Sequence, residues 1–240
     1  MRLDQWLVEN GLCESREKAQ RLILAGEVRL NGHRADKASI AVKPEATVEV
    51  QAQERYVSRG GYKLEAALAT FHISAAGKYC LDVGSSTGGF TDCLLQHGAA
   101  HVTALDVGHG QLHWKLRQDP RVQVREGINA RLLKSDELSH VYAIAVLDLS
   151  FISLKLVLPA IFPFVQADGH IISLIKPQFE VGKDQVGKGG IVRDPAQHRA
   201  ACDRVKACAE ALGFRTSIIE SPITGAEGNR EFLLYAQGSL

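Results

Sequence analysis

Four residues able to hold a sugar hydroxyl or handle a proton stand where apolar runs end. Asp82 follows Tyr79-Cys80-Leu81, and Asp106 follows Val102-Thr103-Ala104-Leu105. Asp148 follows Ile144-Ala145-Val146-Leu147, and Lys176 follows Ser173-Leu174-Ile175. A carboxylate at such an end accepts hydrogen bonds from ribose hydroxyls. A lysine beside a carboxylate can orient a hydroxyl nucleophile or take its proton. Each residue alone fits an ordinary loop cap or a solvated strand end. Together at neighbouring strand ends they point to one site.

The stretch around Asp82 is the most informative. Asp82-Val83-Gly84-Ser85-Ser86-Thr87-Gly88-Gly89-Phe90 reads as a strand, a tight turn and the start of a helix. Glycine lets the backbone turn sharply and lets a ligand approach where a Cβ would stand. The spacing Gly-x-x-x-Gly-Gly is not the Gly-x-Gly-x-x-Gly of a dinucleotide site, which counts against a nicotinamide oxidoreductase. An acid just before the first glycine fits S-adenosylmethionine, a cofactor without a pyrophosphate. The expected contacts are Asp82, Val83, Gly84, Ser85, Ser86, Gly88, Gly89 and Phe90 from the turn. Asp106 and Val107 from the next strand end, and Asp148 across the cleft, complete that set.

These residues need a scaffold that brings strand ends together. From Tyr62 onward, helical and continuously apolar segments alternate to the end of the chain. That pattern predicts an α/β fold with a doubly wound, mostly parallel sheet. Ligands of such sheets lie outside the carboxyl ends of the strands. The helix expected over 62–72 carries Lys63 in its first turn, where the helix dipole disfavours a cation, so Lys63 requires a partner.

The N-terminal part is organised differently. Leu3, Leu7 and Val8 recur at helical spacing, Ser15 opens a second helix over 16–24, and Asn31-Gly32 signals a hairpin. Residues 1–52 are expected to form a small α+β unit, 53–61 a linker broken at Gly60-Gly61, and 62–240 the main domain. Arg16, Lys18 and Arg21 lie on the second helix and Arg29 and Arg34 on the hairpin, offset by Glu14, Glu17, Glu27 and Asp36. Lys183, Lys188 and Arg193 sit among glycines in a long loop, a candidate cationic lid over a nucleic-acid backbone.

With a net charge of +1, no global field draws the chain to nucleic acid, so any attraction is local. The five cysteines contain no Cys-x-x-Cys pair, which excludes a zinc frame and suits reduced thiols of a cytoplasmic protein. The N-terminus does not read as a signal peptide. The greasiest run, 156–165, holds two prolines and is too short to span a bilayer, so no integral membrane association is expected.

Leu-Asp-x-x-Leu, Ser-Arg-x-x-Ala and Gly-x-Val-x-Leu-Asn-Gly in the first fifty residues resemble the alpha-L RNA-binding module named after small-subunit ribosomal protein four. The rest carries Arg-Tyr-Val-Ser-Arg-Gly-Gly-Tyr-Lys-Leu, Asp-Val-Gly-Ser-Ser-Thr-Gly-Gly-Phe-Thr-Asp, Leu-Asp-Leu-Ser-Phe-Ile-Ser, Leu-Ile-Lys-Pro-Gln-Phe-Glu and Gly-Asn-Arg-Glu-Phe-Leu. So arranged, the chain resembles the TlyA or hemolysin A family, FtsJ-like ribosomal RNA 2′-O-methyltransferases. The resemblance implies an S-adenosylmethionine-dependent enzyme fold, ribosomal RNA within subunits or ribosomes as partner, and a cytidine ribose as target. It places a Lys-Asp-Lys-Glu tetrad on Lys63, Asp148, Lys176 and Glu231, an adenine contact on Asn129, and RNA contacts on Arg16, Lys18, Arg21, Arg29 and Arg34, to which Arg59, Lys183 and Lys188 are expected to add. Whether Lys176 is a base or a hydrogen-bonding orienter stays open. The rivals are an RNA-binding assembly factor without catalysis, a base N-methyltransferase, for which Asp148-Leu149-Ser150-Phe151 lacks both prolines of Asp-Pro-Pro-Phe, and a membrane-acting hemolysin.

Overall fold

The computed structural model describes residues 1–50, 55–134, 136–138, 140–225 and 227–238, apart from the side chain of Lys183. The chain divides into two compact units, Met1–Arg55 and Tyr56–Leu240.

The first unit begins with helices α1 (Leu3–Glu9) and α2 (Arg16–Ala25). Ser15 caps α2 by accepting the Lys18 N–H at 3.2 Å, and Gly26 closes it in the left-handed conformation. Strands β1 (Val28–Leu30), β2 (His33–Arg34) and β3 (Val48–Val50) form a sheet of order β2-β1-β3. Asn31 and Gly32, with φ of 52° and 78°, make the turn between β1 and β2, the two-residue geometry that follows the twist of the strands. Leu3, Leu7, Ala19, Ile23 and Val28 are the buried core.

The second unit contains α3 (Gly60–Thr70), β4 (Tyr79–Val83), α4 (Gly89–Gln96), β5 (His101–Leu105), α5 (Trp114–Arg117) and β6 (Val122–Arg125). Then come β7 (Tyr142–Leu147), α6 (Leu154–Ile161), β8 (Val165–Ile175), α7 (Pro177–Glu180), α8 (Pro195–Ala211), β9 (Phe214–Glu220) and β10 (Phe232–Gly238). The seven strands run in the order β6-β5-β4-β7-β8-β10-β9. The first five are parallel, and β10 lies antiparallel between β8 and β9. Leu64, Leu68 and Phe90 pack on one side of the sheet, and Leu154, Leu158 and Val205 on the other. Every residue of β7 is buried, as expected for a central strand covered on both faces. Strand order reverses beside β4, so the cleft opens between β4 and β7 at their carboxyl ends.

Three local expectations change. Gly60 and Gly61 begin α3 rather than breaking the chain, and residue 61 is glycine for packing, because the Tyr56 side chain occupies the space where its Cβ would stand. Tyr56 is itself buried in the core of the second unit, so the expected linker gives way there; its residues 53–54 lie outside the described residues, as do 51–52. Strand β8 starts at Val165, well before the apolar Ser173-Leu174-Ile175 that leads into Lys176, since Val165 already pairs with Tyr142 before an irregularity in register.

Candidate active site

The turn after β4 is held by its neighbours on both sides. Gly84 has φ 81°, and a Cβ there would lie 2.6 Å from the Asp148 carbonyl oxygen, so the position requires glycine on two counts. Asp106 pins the turn, accepting the Ser86 N–H at 2.8 Å and the Gly108 N–H at 2.7 Å. Beside it lies a cavity of 490 Å³ walled by Gly84, Ser86, Asp106, Val107, Asn129 and Asp148 together with apolar Ile128, Leu149 and Val157. Its size is that of a small-molecule site. Its chemistry suits S-adenosylmethionine: apolar walls for the adenine, and an Asp106 carboxylate with spare lone pairs for the ribose hydroxyls. Asn129 lines this cavity while its side-chain carbonyl caps the next turn by accepting the Arg131 N–H at 3.1 Å, which leaves its amide group for a ligand.

Gly84, Ser86, Asp148 and Ser150 are shared with a second cavity of 300 Å³, on which Ser85, Gly89 and Phe90 also border. Lys63, Asp148, Lys176 and Glu231 all line it. They stand there as two ion pairs. Lys63 Nζ donates to Glu231 Oε2 at 2.6 Å, both side chains being buried. Lys176 Nζ lies 2.6 Å from Asp148 Oδ1 and donates to Ser150 Oγ at 3.0 Å. The Lys176–Asp148 contact is close but off hydrogen-bond alignment, so Asp148 Oδ1 has no aligned donor. Glu231 is thus the partner that a lysine in the first turn of α3 requires. Four segments distant in sequence meet because β7 and β8 end side by side, β10, running the other way, begins there, and α3 packs against α4 and β10.

Three of the expected cofactor residues do not line either cavity. Asp82 and Val83 are fully buried in the sheet, and Gly88 is covered by Leu112 and Leu116. β4 is a central strand covered on both faces, so consecutive residues before its end point into one core or the other and not towards a ligand beyond that end. Asp82 accepts the Thr91 hydroxyl at 2.6 Å, and its other oxygen has no partner. Burial pushes its carboxyl up to about 7, against the Thr91 hydrogen bond and with added repulsion from Asp148. Asp82 therefore braces the turn from below.

Two residues of the motif after Asp148 acquire meaning only in three dimensions. Ser150 receives the Lys176 hydrogen bond. Phe151 is 90% exposed, has φ 65°, and stands with its ring 5.1 Å from that of Phe179. An exposed aromatic in a strained conformation beside two catalytic candidates was foreshadowed in the sequence only by its place in Leu-Asp-Leu-Ser-Phe.

The basic residues separate into different roles. Arg16, Lys18, Arg21, Arg29 and Arg34 are all exposed on the first unit. Arg16 donates to the buried carboxylate of Asp4 at 3.0 Å, with Arg2 and Gln20 on the same group, so part of its role is internal. Lys18 pairs with Glu14 at 3.2 Å. Arg29 and Arg34 face each other across the hairpin. Arg59 lines the smaller cavity and Lys188 is exposed on its loop, while the Lys183 side chain lies outside the described residues. No group of acidic, histidine or cysteine residues able to hold a metal occurs among the described residues, and no helix among them is long and apolar enough to cross a membrane.

Comparison with known proteins agrees with this geometry. The FtsJ-like methyltransferase model matches residues 56–238 and the S4 domain model residues 1–48. The chain is 48% identical over 237 residues to the 16S/23S rRNA (cytidine-2′-O)-methyltransferase TlyA of Mycobacterium tuberculosis, covering 98% of this chain and 88% of that one. It is 44% identical to Hemolysin A of Brachyspira hyodysenteriae, covering 98% and 99%. A solved structure from Streptococcus thermophilus, provisionally described as a hemolysin, superposes with a TM-score of 0.75 at 43% identity, covering 100% of this chain and 88% of that one. With its seven-stranded sheet, glycine turn and N-terminal S4 domain, this chain belongs to the FtsJ-like methyltransferase family.

Proposed function

We propose that the chain transfers a methyl group from S-adenosylmethionine to the ribose 2′-hydroxyl of a cytidine in ribosomal RNA, within ribosomal subunits or ribosomes in the cytoplasm. The observation that carries this reading is the pair of lysine–carboxylate contacts on a cavity that shares Gly84 and Asp148 with the cofactor-sized cavity. The cofactor, when bound, supplies a methyl group on a sulfonium. Gly84, Ser86, Asp106, Val107, Asn129 and Asp148 would hold it.

The remaining residues act on the hydroxyl. Lys176 Nζ contacts the 2′-oxygen and either takes its proton as a neutral amine or, as an ammonium, hydrogen-bonds the oxygen while the proton passes to solvent on methyl transfer; Asp148 with Ser150 fixes where Nζ points. Lys63, held by Glu231, adds a second cation to the same wall. Placing hydroxyl and methyl in line is worth up to roughly 7–11 kcal/mol when the geometry is near-attack. Phe151 and Phe179 offer an apolar surface beside Lys176 suited to the face of a base. The exposed cations of residues 1–50, with Arg59 and Lys188, supply phosphate contacts and register, and the chemistry stays in the second unit.

Methyl transfer from radiolabelled cofactor to ribosomal subunits is the test. The unaltered chain is expected to transfer, and Lys176→Ala to be about 10²–10⁴-fold slower, the range for a positioned proton-handling group. Tight RNA binding without transfer would instead favour a non-catalytic assembly factor.

A further inference from the structure

The loops that carry Asp148 and Lys176 are tied together well behind the reacting atoms. Five residues after Asp148, Ser153 caps α6; four residues after Lys176, Glu180 ends the single turn of α7. Glu180 is buried, and its carboxylate accepts the Ser153 hydroxyl at 2.6 Å and the Leu154 N–H at 2.8 Å. Its backbone carbonyl accepts Arg204 at 3.0 Å, which anchors the same turn to α8. The two loops therefore touch at the Lys176–Asp148 pair, at the Phe151–Phe179 ring contact and at Glu180. The first of these is partly open to solvent, whereas the last is shielded by α6 and α8 and has both carboxylate oxygens engaged.

We infer that Glu180 is a positioning residue for catalysis: by bridging Ser153 and Leu154 it sets the separation of the Asp148 and Lys176 loops. The inference rests on the methyl-transfer reading above. A carboxylate is costly to bury, and desolvation raises the proton affinity of Glu180. A leucine would fill the space between α6 and α7 without that cost, but it would leave the Leu154 N–H without a partner and the Ser153 hydroxyl without an acceptor, its oxygen keeping only the capping bond from the Lys155 N–H. Hydrogen bonds fix distance and direction as apolar packing does not, and a displacement near 1 Å at a reacting group can slow a reaction about 10²-fold.

The test uses the full chain with ribosomal subunits, labelled S-adenosylmethionine and the variants Glu180→Ala, Glu180→Gln and Ser153→Ala. Glu180→Ala is expected to lower kcat about 10- to 100-fold, with KM for RNA and Kd for cofactor within about threefold of the unaltered chain. Glu180→Gln can accept the Leu154 N–H through its oxygen and donate to a rotated Ser153 hydroxyl, and is expected to restore kcat to within about threefold. Ser153→Ala removes one of the two bonds together with the α6 cap on the Lys155 N–H, should lower kcat several-fold, and stands in for Glu180→Ala if that variant does not fold. Unchanged kcat in Glu180→Ala, or in Ser153→Ala where the first variant does not fold, overturns the inference. So does a loss confined to cofactor affinity, or a Gln variant as slow as the Ala variant. Lys176→Ala in the same assay separates the two claims. If the unaltered chain transfers methyl and Lys176→Ala does not, a fully active Glu180→Ala overturns this inference alone. If the unaltered chain transfers nothing, the methyl-transfer reading falls and this one with it.

Discussion

Lys63 and Glu231 lie 168 positions apart, and nothing in the spacing of either announces the other. The sequence shows that Lys63 is misplaced in its helix; the structure shows why it is tolerated. Removing one member of a buried pair strands the other, at a cost of about 3–5 kcal/mol. Lys63→Ala and Glu231→Ala should each lower stability by about that much in denaturant unfolding, and the double variant by less than their sum. Additive losses would mean that the two side chains are not coupled. This gives Glu231 more weight than its position at the start of the last strand implies. Asp82 makes a different prediction. Its carboxyl titrates near 7 in the folded chain against about 3.9 when unfolded. Between those values the folded state holds the extra proton, so its contribution makes stability fall as pH rises from about 4 to 7. Asp82→Asn keeps an acceptor for Thr91 and should flatten that part of the curve of thermal midpoint against pH. An unchanged slope would show that Asp82 is ionised throughout. The type and turn position of Asp82 were readable in sequence; that it faces the core was not, because the pleat is fixed only by the neighbouring strands.

At the scale of elements, the glycine turn was legible because its residues are locally constrained. Positive φ at Gly84 and Gly88 and the close approach of Gly89 to Ser58 and Gly60 leave room for no other residue type without rearrangement. Gly84→Ala combines a strained conformation, costing about 1–2 kcal/mol, with a collision against the Asp148 carbonyl. Calorimetry should record at least a tenfold weaker Kd for S-adenosylmethionine; unchanged affinity would mean that the cofactor does not use this turn. The alternation of strands and helices was equally readable. Strand order was not, since periodicity reports how a segment is buried and says nothing about its neighbours. The insertion of β10 between β8 and β9, which delivers Glu231 to the cleft, belongs to that unread part. So does the bridge from Glu180 to the cap of α6, which joins residues 26 and 27 positions apart.

At the scale of the whole molecule, the chain joins a unit rich in exposed cations to one whose polar residues converge on a cleft. The division of labour is testable by deleting residues 1–52. RNA affinity should fall, and the slope of log K against log salt should become shallower by about 0.7–0.9 for each phosphate that the shortened chain leaves unneutralised. Cofactor affinity should stay within about threefold, because no cofactor-lining residue lies in the deleted segment. Unaltered RNA affinity would assign recognition to the second unit alone.

The central claim is that the methyl group goes to a ribose oxygen and not to a base. Ribosomal RNA methylated by the unaltered chain with isotope-labelled S-adenosylmethionine can be digested to nucleosides and resolved by mass spectrometry. The label should appear in 2′-O-methylcytidine and disappear when Lys176→Ala replaces the unaltered chain. Label in a base-methylated nucleoside, or equal label with Lys176→Ala, would contradict it.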